Sequence, residues 1–351
     1  MSNIKVVNII EKENNTKNVT LFLGNGFDLN MGLKTSYEDF VLYYLYKVKS
    51  DNSSVIKFKQ LLETEVKKEN WCDLELLIGK LTSEFTDVKD FYTAFCDMGK
   101  ELLNYLTIQE IKFEEKTDLE KNSIAHNFMD DILILLMHYR IDKNIIINIL
   151  TFNYTIIIDK LVYIIKGNSE LNNFLNSKNI TIEDIIHCHG SYKTGKICFG
   201  LNDESQVKNV EMFDNNYRYI QQIIKPSRNK CINQKGVKDS DKIIFASDLI
   251  VNYGCSFGQT DKYWLELLTK WLGGIYSHFI NNKPYYEFIK NDITNNRFLW
   301  IYSHTKRPES MFDADTLEFE DRIKEKYSYR DDNRIMIKYD NMFKNMKNVV
   351  K

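Results

Sequence analysis

A turn with two glycines follows the first apolar run of the chain. Val19–Leu23 reads VTLFL and leads into Gly24-Asn25-Gly26, which is typical of a buried strand that ends in a tight turn. Glycines in such a turn let backbone N–H groups approach a phosphate. The match to dinucleotide-binding fingerprints is partial, because Leu29 stands where G-x-G-x-x-G requires its third glycine. The turn therefore indicates either a nucleotide site or an ordinary strand-to-helix connection.

Two further polar segments follow predicted strands. Asn153, in TFNYT, could hold a ribose or a water molecule, or could satisfy backbone groups in a turn. His187 and His189, in HCHGS, point the same way if the segment is extended, and a histidine can act as a general base near neutral pH. The pair could also ligate a metal, but no third ligand is evident. Too few residues follow for the rest of a metal-dependent (β/α)8 barrel of about 250 residues.

The segment Gly254–Gly258 reads GCSFG and has the letters of the G-x-S-x-G nucleophile elbow. Ser256 would then be the nucleophile, with Asp292 and His304 as the acid and the histidine that follow it. That interpretation leaves the glycine turn and Asn153 without a function. We therefore favour a loop of small residues whose backbone approaches a ligand, and a serine hydrolase stays open as an alternative.

A pair of carboxylates occurs in Trp71–Glu75, which reads WCDLE within a helical pattern. Asp73 and Glu75 are two residues apart and do not share a helix face. One carboxylate could line a pocket while the other caps the helix. The favoured interpretation is the start of a helix with a buried tryptophan.

Apolar periodicity predicts the elements that position these segments. After the first strand, strand patterns occur at Ile145–Phe152, Ile182–Cys188, Lys196–Phe199, Lys242–Tyr253, Arg297–Ser303 and Arg334–Lys338. Helical patterns occur at Asp159–Ile165, Val207–Ile224, Asp261–Ile280 and Asp315–Lys326, and the polar segment Ser227–Asp241 is predicted to be an exposed loop. The alternation predicts an α/β fold: a Rossmann-like, largely parallel sheet with helices on both faces. Ligands of such sheets bind at the carboxyl ends of the strands.

A large helical insertion is predicted after the first strand. From Tyr37 to Arg140 the apolar residues recur at three- and four-residue spacings, as in Leu74, Leu77 and Ile78. The predicted organisation is an inserted helical subdomain at residues 37–140 within an α/β domain of residues 1–36 and 141–351. The insertion could bind a trigger or pack against another subunit, as in a homo-oligomer.

The composition argues against several classes of protein. Lys plus Arg number 47 and Asp plus Glu number 49, for a net charge of −2, so there is no global signal for nucleic-acid binding. No apolar run of about 18 residues predicts a membrane span. The N-terminus lacks a signal-peptide pattern, and we expect a cytoplasmic protein. The six cysteines contain no C-x-x-C pair and indicate neither a zinc ribbon nor a disulfide framework.

Taken in order, several segments resemble the bacteriophage abortive-infection AbiH family: LFLGNGFDLNMGLKTSYEDF, WCDLE, LTFNYT, HCHGS, CFGLND and GCSFGQTDKYW. The family is similar to the sirtuin-like (SIR2) group of NAD-using folds. In that group a glycine loop meets the NAD phosphates, an asparagine orients the nicotinamide ribose, and a histidine before a glycine acts as a base. The resemblance implies catalysis by Asn153 and His189, and NAD binding by Gly24, Asn25, Gly26, Asp28, Gly254, Ser256 and Asp261.

The resemblance also implies a function. It is that of an anti-phage effector, controlled by a phage-derived trigger, which binds NAD and hydrolyses the nicotinamide–ribose bond without a metal. A protein deacetylase is not favoured, because the chain lacks the four-cysteine zinc module of sirtuins and has Asn25 where they have alanine. Two alternatives stay open. One is a non-catalytic nucleotide-binding sensor of infection, and the other is a hydrolase that uses Ser256 or the His187/His189 pair.

Overall fold

The computed structural model describes residues 16–68, 73–139, 143–214, 216–255, 261–273, 275–280, 283–288, 297–302, 334–338 and 340–346. The strands are β1 Thr16–Leu23, β2 Asn144–Thr151, β3 Ile180–His187, β4 Gly190–Ser191, β5 Lys196–Ile197, β6 Leu249–Tyr253, β7 Ile275–Ile280, β8 Lys283–Phe288, β9 Phe298–Tyr302 and β10 Ile335–Lys338. The helices are α1 Asn25–Asn30, α2 Tyr37–Tyr46, α3 Ser53–Val66, α4 Leu74–Leu81, α5 Val88–Glu114, α6 Asp118–Tyr139, α7 Ile157–Gly167, α8 Ser169–Ser177, α9 Tyr217–Ile223, α10 Lys225–Ile232, α11 Gln234–Ala246 and α12 Lys262–Leu272. No helix within these ranges combines the length and the apolar character needed to cross a membrane.

Six strands form one sheet in the order β10-β9-β6-β1-β2-β3. Every neighbouring pair in it is parallel. Numbered along the chain within this sheet alone, the strands stand in the order 3-2-1-4-5-6, which is the order of doubly wound dinucleotide-binding folds and reverses between β1 and β6. The prediction of an α/β fold with a Rossmann-like parallel sheet is confirmed.

Both faces of the sheet are covered by helices, as predicted. Leu21 and Leu23 of β1 pack in a core formed with α6, α7 and α8. Phe22, between them, faces the opposite side and packs with α11 and α12. Because Val19–Leu23 of β1 is buried on both faces of the sheet, this run is nearly continuously apolar rather than alternating.

The predicted helical insertion is confirmed, since α1 to α6 all lie between β1 and β2. Helices α2 to α5 build a separate hydrophobic core that also takes in Phe199, Leu201 and Ile223, which follow β3 in the chain. Helix α6 packs instead on the core of the sheet. The insertion thus shares its core with a later segment, and the domain division at residues 37–140 stays a prediction.

The side chain of Asp73 caps the N-terminus of helix α4, and Asp73 also lines the cleft described below. The Oδ1 atom of Asp73 accepts hydrogen bonds from the backbone N–H groups of Glu75 and Leu76 at 2.9 and 3.1 Å. Such a cap satisfies donors that the first turn of a helix leaves free. The predicted helix start in WCDLE is therefore confirmed, while its Trp71 and Cys72 lie outside the described residues.

The predicted loop at Ser227–Asp241 is wrong, because α10 and α11 occupy it. Helix α11 buries only a narrow stripe, formed by Val237, Ser240 and Ile244. Because so few of its residues are buried, the helix has the polar composition that is typical of an exposed loop. The predicted strand Lys242–Tyr253 is wrong in its first half, since residues 242–246 complete α11 and β6 begins only at residue 249.

Two predicted helices are shorter than expected. Within Val207–Ile224, α9 covers only Tyr217–Ile223, and within Asp261–Ile280 the helix ends at Leu272 before β7 begins. The strand predicted at Lys196–Phe199 is limited to its first two residues. The helix predicted at Asp315–Lys326 lies outside the described residues.

Candidate functional site

A cleft of about 650 Å³ opens at the carboxyl ends of the central strands, where the sheet order reverses. The inserted helices wall its other side, through residues such as Tyr37 and Leu102. The structure brings together nearly all of the residues predicted as the site, namely Gly24, Asn25, Gly26, Asp28, Asn153, His189, Gly254 and Asp261. Ser256 lies outside the described residues.

The turn after β1, which contains Gly24 and Gly26, packs directly against the turn after β6, which contains Gly254. Below, these two turns are called the two loops. The N–H of Gly24 donates to the carbonyl of Tyr253 at 2.9 Å, and the N–H of Gly26 donates to that of Gly254 at 3.3 Å. A Cβ on Gly24 would overlap the carbonyl oxygen of Gly254. Gly254 itself has φ +74°, and a Cβ there would lie 2.6 Å from the Cα of Gly26. Close backbone contact therefore explains these glycines, and two of the amides predicted to face a phosphate are already used within the protein.

Substituting Gly24 by alanine should lower the free energy of unfolding by about 1–3 kcal/mol, because the backbone it meets cannot move aside without displacing both loops. Gly99→Ala is the control, since Gly99 lies within α5 with no atom within 4 Å of its Cβ position. That change should stabilise the helix by about 0.5–1 kcal/mol. Urea unfolding of both variants measures the contrast, and equal effects would contradict the loop contact.

Asp28 fixes the side chain of Asn153 at the floor of the cleft. The amide nitrogen of Asn153 donates to Oδ1 of Asp28 at 3.0 Å, and the hydroxyl of Thr155 donates to Oδ2 at 2.6 Å. Asp28 is buried on the short helix α1. Burial raises the pKa of Asp28 to about 7, although the hydrogen bond from Thr155 works in the opposite direction. Thr155 is thus a partner of Asp28.

His189 is buried beside Trp264. The indole Nε1–H of Trp264 donates to Nε2 of His189 at 3.0 Å. Burial lowers the pKa of His189 to about 4, Lys225 lowers it further, and Asp261 opposes both. The imidazole is therefore neutral at physiological pH.

Lys225 joins two carboxylates at the wall of the cleft. Its Nζ donates to Oε2 of Glu75 at 2.8 Å and to Oδ1 of Asp261 at 2.9 Å. Oε1 of Glu75 also accepts the N–H of Gly200 at 3.1 Å. Glu75 comes from the insertion, Lys225 from α10 and Asp261 from the N-cap position of α12, so this cluster joins the insertion to the α/β fold.

The cluster sets the charge of each member. Burial raises the pKa of Glu75 to about 7 against the pull of Lys225. Burial alone would lower the pKa of Lys225, but Asp261 and Glu75 outweigh it and raise that pKa. Burial would likewise raise the pKa of Asp261, but Lys225 and His189 hold it below its usual range. Lys225 is therefore a cation and Asp261 an anion at neutral pH.

Sequence reasoning missed Lys225 and gave Glu75 only as one of two possible pocket residues. Nothing local marks Lys225, which precedes a proline at the edge of a segment predicted as loop. For Glu75 the signal was the pair of carboxylates in WCDLE, since Asp73 caps the helix and both residues line the cleft.

His187 does not share the surroundings of His189. Its Nδ1 donates to the carbonyl of Asn153 at 3.2 Å, and its Nε2 lies 2.9 Å from Oδ2 of Asp159. Among the described residues, no group of three or more His, Cys, Asp or Glu side chains is arranged to hold a metal. The proposed serine triad falls outside the described residues at Ser256, Asp292 and His304.

The sequence model of one known protein family matches most of the chain. The sequence model of the family described as "Bacteriophage abortive infection AbiH" matches residues 20–280, which is more than half of the 351 residues. The match includes every segment that carries the resemblance noted from the sequence. No curated protein matches the chain.

Proposed function

Because the chain belongs to the bacteriophage abortive-infection AbiH family, we propose that it is an anti-phage effector that binds NAD in the cleft and hydrolyses the nicotinamide–ribose bond. The observation that carries the proposal is the convergence of Gly24, Asn153, His189 and Gly254 where the sheet order reverses. Sheets with this strand order bind dinucleotides across that crevice.

The size and charge of the cleft support this ligand. Its volume of about 650 Å³ falls within the range of roughly 300–1,000 Å³ for cofactor and small-molecule sites. Its described lining carries one ammonium, from Lys225, and five carboxyl groups, from Asp28, Glu38, Asp73, Glu75 and Asp261. Burial raises the pKa of Asp28 and of Glu75 to about 7, so these two carboxyl groups are only partly ionised at neutral pH. Their negative charge suits the cationic nicotinamide and the positive charge that develops on the ribose as the bond breaks. We place the diphosphate beside the neutral polar side chains of Asn25, Thr35 and Ser36, which line the same cleft.

The reaction makes limited demands on the protein. Nicotinamide is already cationic in NAD and leaves as a neutral molecule, so no general acid is required. Water adds to the ribose carbon and releases one proton. The protein must hold the ribose and water in line and stabilise the developing charge. Asn153, whose amide nitrogen is held by Asp28, orients the ribose or the water, and His189 contacts the same region.

Asn153→Ala is expected to lower NAD turnover by about 10²-fold, because a misplaced reactant can cost that much in rate. The matched control is Asn104→Ala, an exposed asparagine of α5, which should turn over NAD like the wild type. Loss of NAD is measured with purified protein, alone and with lysate from phage-infected cells. If the wild type consumes no NAD under either condition, the enzymatic proposal is wrong.

A non-catalytic sensor is the second candidate, and the occupied polar atoms of the cleft favour it. The N–H groups of Gly24 and Gly26 and the Nε2 atom of His189 all have partners within the protein. Such a site could bind NAD and leave it intact. A sensor should be stabilised by about 2.7 kcal/mol at an NAD concentration of 100 times Kd, with no loss of NAD over the same period.

A further inference from the structure

The hydrogen bond between Trp264 and His189 determines where the imidazole carries its proton. An indole N–H is a donor only, so Nε2 of His189 must present a lone pair to accept it at 3.0 Å. A neutral imidazole has one N–H, and with Nε2 occupied in this way that proton resides on Nδ1.

The surroundings of His189 oppose a second proton on the ring. Phe152 packs edge-on against the imidazole at a centroid distance of 5.4 Å, and Tyr154 lies at 6.4 Å. The nearest carboxylate oxygen, Oδ1 of Asp261, is 3.6 Å from Nε2 and is already bonded to the ammonium of Lys225. Apolar surroundings and a nearby cation both disfavour an imidazolium.

The Nδ1 atom is the part of His189 that is left for a ligand. The imidazole lines the cleft, and among the described residues none accepts a hydrogen bond from Nδ1. We infer that Trp264 is a positioning residue that holds the neutral His189 as the Nδ1–H tautomer, so that His189 donates a hydrogen bond to a ligand oxygen and does not act as a base. The ligand oxygen, a ribose hydroxyl of NAD, rests on the proposed function, whereas the tautomer does not.

Nitrogen NMR of protein labelled with ¹⁵N-histidine tests the tautomer without any ligand. At pH 7.5, His189 should show a protonated Nδ1 and an unprotonated Nε2, with its signals assigned by their loss in His189→Asn. Trp264→Phe removes the indole donor and should move part of the population to the Nε2–H form. Trp271→Phe is the matched control, because its indole donates instead to the carbonyl of Ser247, and it should leave His189 unchanged. A wild-type imidazole that is cationic or protonated on Nε2, or an unaltered tautomer in Trp264→Phe, would overturn the inference.

Turnover of NAD by two His189 variants then shows whether His189 acts as a hydrogen-bond donor or as a base. The amide nitrogen of asparagine and Nδ1 of histidine are both bonded to Cγ, so His189→Asn keeps an N–H donor near its place but has no basic nitrogen. His189→Ala should lower turnover by about 10²–10³-fold, as loss of a positioned donor does, and His189→Asn should recover most of that loss. Equal loss in both variants would assign His189 as a base and refute the donor role. If the wild type itself consumes no NAD, the proposed function fails, while the NMR experiment still decides the tautomer.

Discussion

Lys225→Met should lower the free energy of unfolding by about 3–5 kcal/mol. Removing the ammonium leaves the buried carboxyl groups of Glu75 and Asp261 without their cationic partner. The ammonium of Lys225 is buried, as is its partner Glu75, and Asp261 is mostly buried. Urea unfolding with a structural probe on the insertion and another on the sheet measures the loss. The insertion should separate first, since this cluster joins α4 to α10.

Two variants make the Lys225 prediction specific. The double variant Lys225→Met/Glu75→Gln should recover part of the loss, because it removes one of the stranded carboxylates together with the ammonium. Lys242→Met is the matched control, since Lys242 pairs with Asp239 at the surface and exposed pairs contribute little. A loss in Lys225→Met no larger than that in Lys242→Met would show that the buried cluster does not stabilise the fold.

Asp28→Asn is expected to change how stability depends on pH. The pKa of Asp28 rises from 3.8 to about 7 on folding, chiefly through burial. Between these values the unfolded chain loses its proton while the folded protein retains it, so the contribution of Asp28 to stability falls as pH rises from about 4 to about 7. At 1.36 kcal/mol per pKa unit, the fall amounts to roughly 4 kcal/mol.

The asparagine variant has no such proton, and its amide can still meet Asn153 and Thr155. Its stability relative to the wild type should therefore increase from pH 4 to pH 7 and stay constant above pH 8. Urea midpoints across this range measure the difference, with Asp214→Asn, an exposed aspartate, as the matched control that should track the wild type. A difference that does not vary with pH would show that folding leaves the pKa of Asp28 unchanged.

Much of the fold could be predicted because it depends on local patterns. β1 is apolar at consecutive positions since Leu21 and Phe22 are buried on opposite faces of the sheet, and that run is visible in the sequence. The same holds for the three- and four-residue spacing of the insertion. Helix α11 was missed because a stripe as narrow as Val237, Ser240 and Ile244 hardly differs from loop composition.

The candidate site divides in the same way. The sequence predicts one shared cleft, because parallel strands end at a common edge of the sheet. The residues that follow those strands are Gly24, Asn153, His189 and Gly254. The hydrogen-bond partners of these residues could not be predicted from the sequence. Trp264, which decides the tautomer of His189, lies 75 positions later in the chain.

A doubly wound sheet with a helical insertion and a cleft at the strand ends could be inferred from the amino-acid sequence alone, because those features follow from which side chains must leave water. The electrostatics of that cleft arise from contacts between distant parts of the chain. Lys225 forms hydrogen bonds with Glu75, 150 positions earlier, and with Asp261, 36 positions later. No local sequence pattern predicts contacts over such separations. The charge of a buried group depends on neighbours in space and on lost contact with water, and both exist only once the chain has folded.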